Sequence, residues 1–197
     1  MDIEQIKKNY EKFDNSKIEI LAKNEAASLE PEVIPILVNE IKKRNLDIDL
    51  IKGIEAQTKE LTEKEILEIK LKIESLSCPE CGHKESKLIG TLIRTVKSFI
   101  VFTSYKKTSI ISCKICAEKK RKEAMITTAL LGWWGIPWGL FRTPQAIIAS
   151  LTDNNKREQI SNEILTVFAI ENIGEIKTNW NKEKELTDFI YHRNRQD

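Results

Sequence analysis

Cys78-Pro79-Glu80-Cys81-Gly82 and, with a 31-residue spacer between Cys81 and Cys113, Cys113-Lys114-Ile115-Cys116 decide how this chain is read, because they hold its only four cysteines. A C-x-x-C turn brings two thiolates to one side of a tight bend. Two such turns complete a tetrahedral sulfur set for one Zn²⁺. Pro79 fixes φ in the first bend, and Gly82 tolerates the positive φ that such a bend asks for. Two disulfides and a thioredoxin-like redox pair are the competing readings. A redox pair would open a helix within a βαβ pattern, and none is visible around either pair. Cys78, Cys81, Cys113 and Cys116 are therefore predicted to ligate a structural zinc with no open coordination position for catalysis. His83 adjoins the first pair, but four sulfurs already fill the tetrahedron.

The spacer is rich in β-branched residues. Leu88–Val96, Phe99–Thr103 and Thr108–Ser112 read as strands, with Lys106-Lys107 as a turn between the last two. A two- or three-stranded antiparallel sheet results, held by the metal at one end. With CPECG and CKIC, residues 76–117 resemble the zinc-ribbon superfamily. Ala117 stands where such ribbons often carry a glycine after the last cysteine. The resemblance implies a small metal-held sheet that contacts nucleic acid or protein, or simply holds a domain together.

The formal net charge is only +2, but it is unevenly spread. Residues 1–77 hold 13 Lys/Arg against 17 Asp/Glu, whereas residues 78–142 hold 12 against 4. The basic excess thus coincides with the cysteine module and its sequel, which predicts an anionic neighbour: lipid headgroups, nucleic acid or an acidic protein. The N-terminus has no apolar h-region, so a reducing, cytoplasmic setting is expected.

Residues 1–76 read as an independent helical module. Asp14-Asn15-Ser16 caps one helix. Glu30-Pro31-Glu32 starts another that buries Val33, Ile36, Leu37 and Ile41, and cations and Asn45 end it. Asp47 or Asp49 begins a short helix through Ile54. Thr62-Glu63-Lys64-Glu65 is a capping box ahead of Ile66, Ile69, Leu71, Ile73 and Leu76. Packing within the module is the expected use of these apolar residues.

Past the second cysteine pair, Lys119-Lys120-Arg121-Lys122 is a basic run. Eighteen residues without a charge follow, Ala124–Phe141, with three of the four tryptophans, Trp133, Trp134 and Trp138. The length reaches the lower end of a membrane span, but Gly132, Gly135, Pro137 and Gly139 would break a spanning helix. Tryptophan favours the membrane interface, and cations beside it meet anionic headgroups. An interfacial or re-entrant hairpin over 124–151 is one reading, and a tryptophan-rich core or partner groove is the other. Trp133, Trp134, Trp138, Phe141 and Lys119–Lys122 are the predicted contact residues. The order of ribbon, basic run, GWWGIPWG and TPQAII resembles a group of uncharacterised bacterial zinc-ribbon proteins with a Gly/Trp/Pro membrane-type segment. That resemblance implies membrane association and carries over no catalytic residue.

Residues 153–197 read as two helices. One holds Ile160, Ile164, Leu165, Val167 and Phe168, the other Leu186, Phe189, Ile190 and Tyr191, with Gly174 as the break between them. The prediction is an α+β chain, mostly helical with a small antiparallel zinc-ribbon sheet, in four segments: 1–76, 77–117, 118–152 and 153–197. No phosphate loop, nucleophile elbow or acid–base set is present, so a non-enzymatic zinc protein without a small-molecule substrate is expected. It would act as an adaptor at the inner face of the membrane, through the bilayer or an apolar partner segment. A soluble nucleic-acid-binding ribbon, stacking bases on Phe99, Phe102 or Tyr105, is the alternative.

Overall fold

The computed structural model describes residues 3–99, 102–131, 144, 145, 148 and 156–196. They form a mostly helical α+β protein with one two-stranded antiparallel sheet. The order is α1 (Ile3–Lys12), α2 (Asn15–Ile20), α3 (Ile34–Lys43), α4 (Asp49–Thr58), α5 (Glu63–Glu74), β1 (Leu88–Phe99) and β2 (Phe102–Cys113). Then follow α6 (Lys114–Leu131), α7 (Arg157–Glu171), α8 (Ile173–Thr178) and α9 (Glu183–Gln196). Contacts divide the chain into two units: Met1–Ile69 with Phe168–Leu186, and Lys70–Val167 with Thr187–Asp197.

In the first unit the local signals set the helix ends. The Asp14 side chain accepts from the Lys17 amide at 2.7 Å and caps α2. Pro31 lies in a turn rather than at a helix start, and α3 begins three residues later with Pro35 in its first turn. A residue lacking an N–H suits that turn, whose amides have no helical acceptor. At the other end Asn45 adopts φ +53°, and the Leu46 and Asn45 amides donate to Ile41 and Lys42 at 3.0 and 3.2 Å. This is a Schellman closure. Ile18, Leu37, Ile41, Leu50 and Ile54 are fully buried in the core between these helices. Glu40, also buried, is held by Arg44 at 2.8 Å, and the Arg44 guanidinium goes on to donate to the Tyr10 carbonyl at 2.9 Å. A cation expected merely to suit the end of its own helix thus closes the end of α1.

After Ile20 the helix widens into a π turn, Leu21–Glu25. The cause is the side chain of Gln57. Its oxygen accepts from Ala26 N–H at 3.1 Å, and its nitrogen donates to the Ala22 carbonyl at 2.7 Å. Those two groups would be partners in an uninterrupted α-helix, so one amide side chain replaces one turn of ladder. Gly174 does not break a helix as expected. It lies inside α8 because a Cβ there would stand 2.1 Å from both the Lys23 carbonyl and the Gln57 amide nitrogen. Its task is close approach, and the described residues of the C-terminal region form three helices, α7, α8 and α9.

In the second unit β1 and β2 pair from Leu88↔Cys113 to Phe99↔Phe102. The sheet has two strands. Lys106-Lys107 is not a turn but runs mid-strand opposite Thr95 and Arg94, with both lysines exposed. Exposed side chains meet no core there, so charge does not interrupt the strand. Residues 100–101, between the two strands, lie outside the described residues. The buried side chains of this unit include Ile73, Leu76, Leu88, Val96, Ile110, Ile111, Leu165 and Ile190. Leu71 and Val167, expected on buried faces, are exposed. Leu71 lies two residues from both Ile69 and Ile73, which turns it to the far side of α5.

Both outer edges of this hairpin receive side-chain partners. The Gly90 amide donates to Ser161 Oγ at 3.0 Å and the Val96 amide to Thr128 Oγ1 at 3.1 Å. On the β2 edge the Ile111 N–H and carbonyl both engage Asn194. An edge covered in this way offers no template for another strand over those residues.

Candidate metal centre

The first cysteine pair forms a tight loop after α5. Cys78 donates its amide to the His83 carbonyl at 2.8 Å and accepts the Gly82 amide on its own carbonyl at 2.8 Å. Gly82 has φ +73°, the conformation predicted for it. The second pair has another setting. Cys113 ends β2, and Cys116 lies in the first turn of α6. Ala117 continues that helix as a buried residue, so no glycine is needed to turn the chain.

The four sulfurs lie within 4.8 Å of one another, with Cys81 Sγ 3.8 Å from Cys113 Sγ. A tetrahedron with metal–sulfur bonds of about 2.3 Å has edges of about 3.8 Å, so the donor set fits a thiophilic ion. No two of the cysteines are joined in a disulfide. Cys78 and Cys113 are buried, Cys116 is half-buried and Cys81 exposed. The His83 side chain lies exposed beside the cluster.

Backbone amides aim at the sulfurs. Cys78 Sγ accepts from the Cys113 amide at 3.3 Å and also from the amides of Glu80 and Cys81. Burial nevertheless raises the Cys78 pKa. Burial also opposes ionisation of Cys113, but donation from the Cys116 amide and the neighbouring thiols pulls its pKa down to about 7. Burial, together with the sulfurs of Cys81 and Cys113, pushes Cys116 far up. Cys113 therefore ionises readily, while Cys78 and Cys116 resist, as expected for buried thiols close to like charges. A divalent cation at the centre removes that resistance, and a coordinating thiol is deprotonated outright.

Glu80, between the first two ligands, anchors this loop. Its carboxylate meets Lys120 of α6 at 2.6 Å and Arg195 of α9 at 3.3 Å, and its side chain is only 12% exposed. Burial would raise its pKa, but Lys120 and then Arg195 hold it below the ordinary value. The sequence gives no sign of this role, because neither cation is near Glu80 in the chain.

The four side chains of the basic run have different settings. Lys119 and Lys122 are exposed, Lys120 is engaged by Glu80, and Arg121 is half-buried. Trp133, Trp134, Trp138 and Phe141 lie outside the described residues. Among the described residues no helix is long and apolar enough to cross a membrane. No protein-family model, curated protein or solved structure matches the chain.

Proposed function

We propose that this chain is a non-enzymatic zinc protein of the zinc-ribbon kind, acting by contact at a membrane surface. The observation that carries the metal part is the cluster of four cysteine sulfurs within 4.8 Å of one another. Zinc is favoured because a tetrahedral all-thiolate set suits a d¹⁰ ion and serves structure when every position is filled by protein. Cys78, Cys81, Cys113 and Cys116 would hold it, and it would join the loop after α5 to the base of the hairpin and the start of α6.

The membrane part is supported by the outward face of α6. Ile115, Ile126 and Leu130 are exposed there at 78, 60 and 66%. Lys119 and Lys122 share that face by helical spacing. The uncharged tryptophan-rich stretch follows directly. Apolar side chains beside cations suit the boundary of an anionic bilayer. The test is co-flotation with liposomes. Wild type should float with anionic vesicles. Replacing Lys119 and Lys122 by Ser should weaken binding and remove its preference for anionic lipid. Replacing Trp133, Trp134 and Trp138 by Ser should abolish it at unchanged zinc content. Wild type that stays off vesicles overturns the membrane reading.

Nucleic-acid binding is the second reading. It is favoured by exposed Tyr105, Lys106 and Lys107 on β2, with the Lys107 ammonium 5.8 Å from the Tyr105 ring. Salt-sensitive oligonucleotide binding, lost on Tyr105→Ala, would place it first.

A further inference from the structure

The four cysteines are alike in chemistry but not in access. Cys78 and Cys113 are buried, Cys116 is half-buried and Cys81 is exposed. The loop opens outward beside Cys81, since a Cβ on the next residue, Gly82, would meet nothing within 4 Å. A filled tetrahedron leaves no position for water on the metal, but it does not shield an outward sulfur from an oxidant. Thiol oxidation follows thiolate character and exposure. Every metal-ligating cysteine meets the first condition, because coordination removes the thiol proton. Of the four, Cys81 is the one that also meets the second.

An oxidised cysteine beside a second thiol is trapped as a disulfide, which reductants reverse. Cys113 Sγ lies 3.8 Å from Cys81 Sγ. A disulfide needs about 2 Å between its sulfurs, so one of them must move by about the same distance. The open side of the loop gives Cys81 room for that movement. Cys78 is less suited as the partner. Its sulfur is held by the amides of Cys113, Glu80 and Cys81, against the single amide of Cys116 on Cys113.

We propose that Cys81 is a peroxide-reactive modification site that closes a disulfide with Cys113, so that oxidation empties the metal centre. The proposal rests on the zinc reading above and adds a chemical input to it. The Cys81 thiolate attacks one oxygen of a hydroperoxide. The O–O bond breaks, an S–O bond forms, and the departing oxygen takes a proton from solvent. The Cys113 thiolate then attacks the Cys81 sulfur. The S–O bond breaks, the S–S bond forms, and the oxygen leaves as water after taking up a second proton. With hydrogen peroxide, two thiolates, one peroxide and two protons give one disulfide and two waters. The sulfurs lose two electrons, and the peroxide oxygens gain them. Cys78 and Cys116 are then the remaining donors, too few for a closed tetrahedral site. The new bond keeps the loop after α5 joined to the end of β2, so the base of the hairpin stays tied when the metal is gone.

The experiment treats the zinc-loaded full chain with a few equivalents of hydrogen peroxide in thiol-free buffer. A chromogenic chelator follows the released metal, and peptide mass mapping after alkylation locates any disulfide. Loss of zinc should keep pace with a Cys81–Cys113 disulfide, while Cys78 and Cys116 are recovered alkylated. Dimedone added with the peroxide should tag Cys81 first. Dithiothreitol followed by zinc should restore the metal content and all the thiols. Cys81→His keeps a complete donor set of three cysteines and one histidine, and should hold its zinc under the same treatment. Zinc content before treatment shows that this variant is folded, and the wild-type disulfide map needs no variant. A chain isolated without zinc overturns the zinc reading above, and with it the release, whereas the map still decides the pairing of the thiols. A disulfide within either C-x-x-C pair, or oxidation of Cys116 ahead of Cys81, overturns the proposal. Zinc retained by oxidised wild type, or lost as fast from Cys81→His as from wild type, overturns it too.

Discussion

The Asn194 side chain donates to the Ile111 carbonyl at 2.9 Å and accepts from the Ile111 amide at 2.9 Å. Ile111 is buried on the outer edge of β2, where a third strand would otherwise supply both bonds. A single amide from α9 replaces that strand, as Gln57 replaces a turn of helix in the first unit. Asn194→Leu should leave two buried backbone groups unpaired and cost about 2–4 kcal/mol for the two together. Asn194→Asp keeps an acceptor but sets a second oxygen against the Ile111 carbonyl, so it should not recover the loss. Urea denaturation of the three proteins measures this, and equal midpoints would show that the bonds are dispensable.

Cys81→Ser removes one corner of the sulfur set. The variant should retain far less zinc after purification and lose order in the hairpin, because metal binding and folding of so small a sheet are coupled. Metal analysis by mass spectrometry and amide exchange over residues 88–113 give the readout. Full zinc retention with normal protection would remove the exposed Cys81 from the ligand set.

Glu80→Gln leaves all four sulfurs in place but breaks the charge pairing with Lys120 and Arg195. Residues that orient metal ligands typically contribute about 10–100-fold to metal affinity. A loss near the low end, about tenfold, is expected in competition with a chromogenic chelator. Unchanged affinity would mean that the loop after α5 holds its shape without this anchor.

Gly174→Ala tests the close approach in the first unit. A methyl group there meets the Lys23 carbonyl and Gln57 amide at 2.1 Å, and backbone cannot yield cheaply. Destabilisation of about 1–3 kcal/mol or more is expected, read as a lower thermal midpoint. A midpoint equal to wild type would show that α8 does not pack against these groups.

The capping box at α5 predicts an acid titration. The Glu65 carboxylate accepts from the Thr62 amide at 3.0 Å, and Lys59 together with both Thr62 donors lowers its pKa from 4.5 to about 2. A depressed carboxylate pKa means that the cap contributes fully above pH 4.5 and is lost as pH falls toward about 2. Carbon NMR of the Glu65 carboxyl should show its midpoint well below that of an ordinary glutamate. In Thr62→Ala the midpoint should move back up. An ordinary midpoint in wild type would mean that the box is open in solution.

Much of this was legible in the chain because it is local. Cysteine spacing fixed the four candidate ligands, since two residues between thiols already set the reach of a turn. Asp14, Asn45 and the Thr62–Glu65 pair marked helix ends because each bonds to backbone within a few residues. The mostly helical α+β class followed from the same periodicities. Partners distant in sequence were not legible. Glu80 gave no sign of Lys120 or Arg195, Ile111 none of Asn194, and the π turn at Leu21 none of Gln57. Lys106-Lys107 read as a turn by composition, yet pairing with Arg94 and Thr95 made it strand, because ladder bonds depend on the opposite chain and not on the residues themselves. Gly174 read as a breaker by its type, and only the approach of Lys23 and Gln57 made it a contact residue. Bonds within one turn of chain are written in the order of residues, whereas charge pairs, edge caps and close approaches exist only once folding has brought distant segments together.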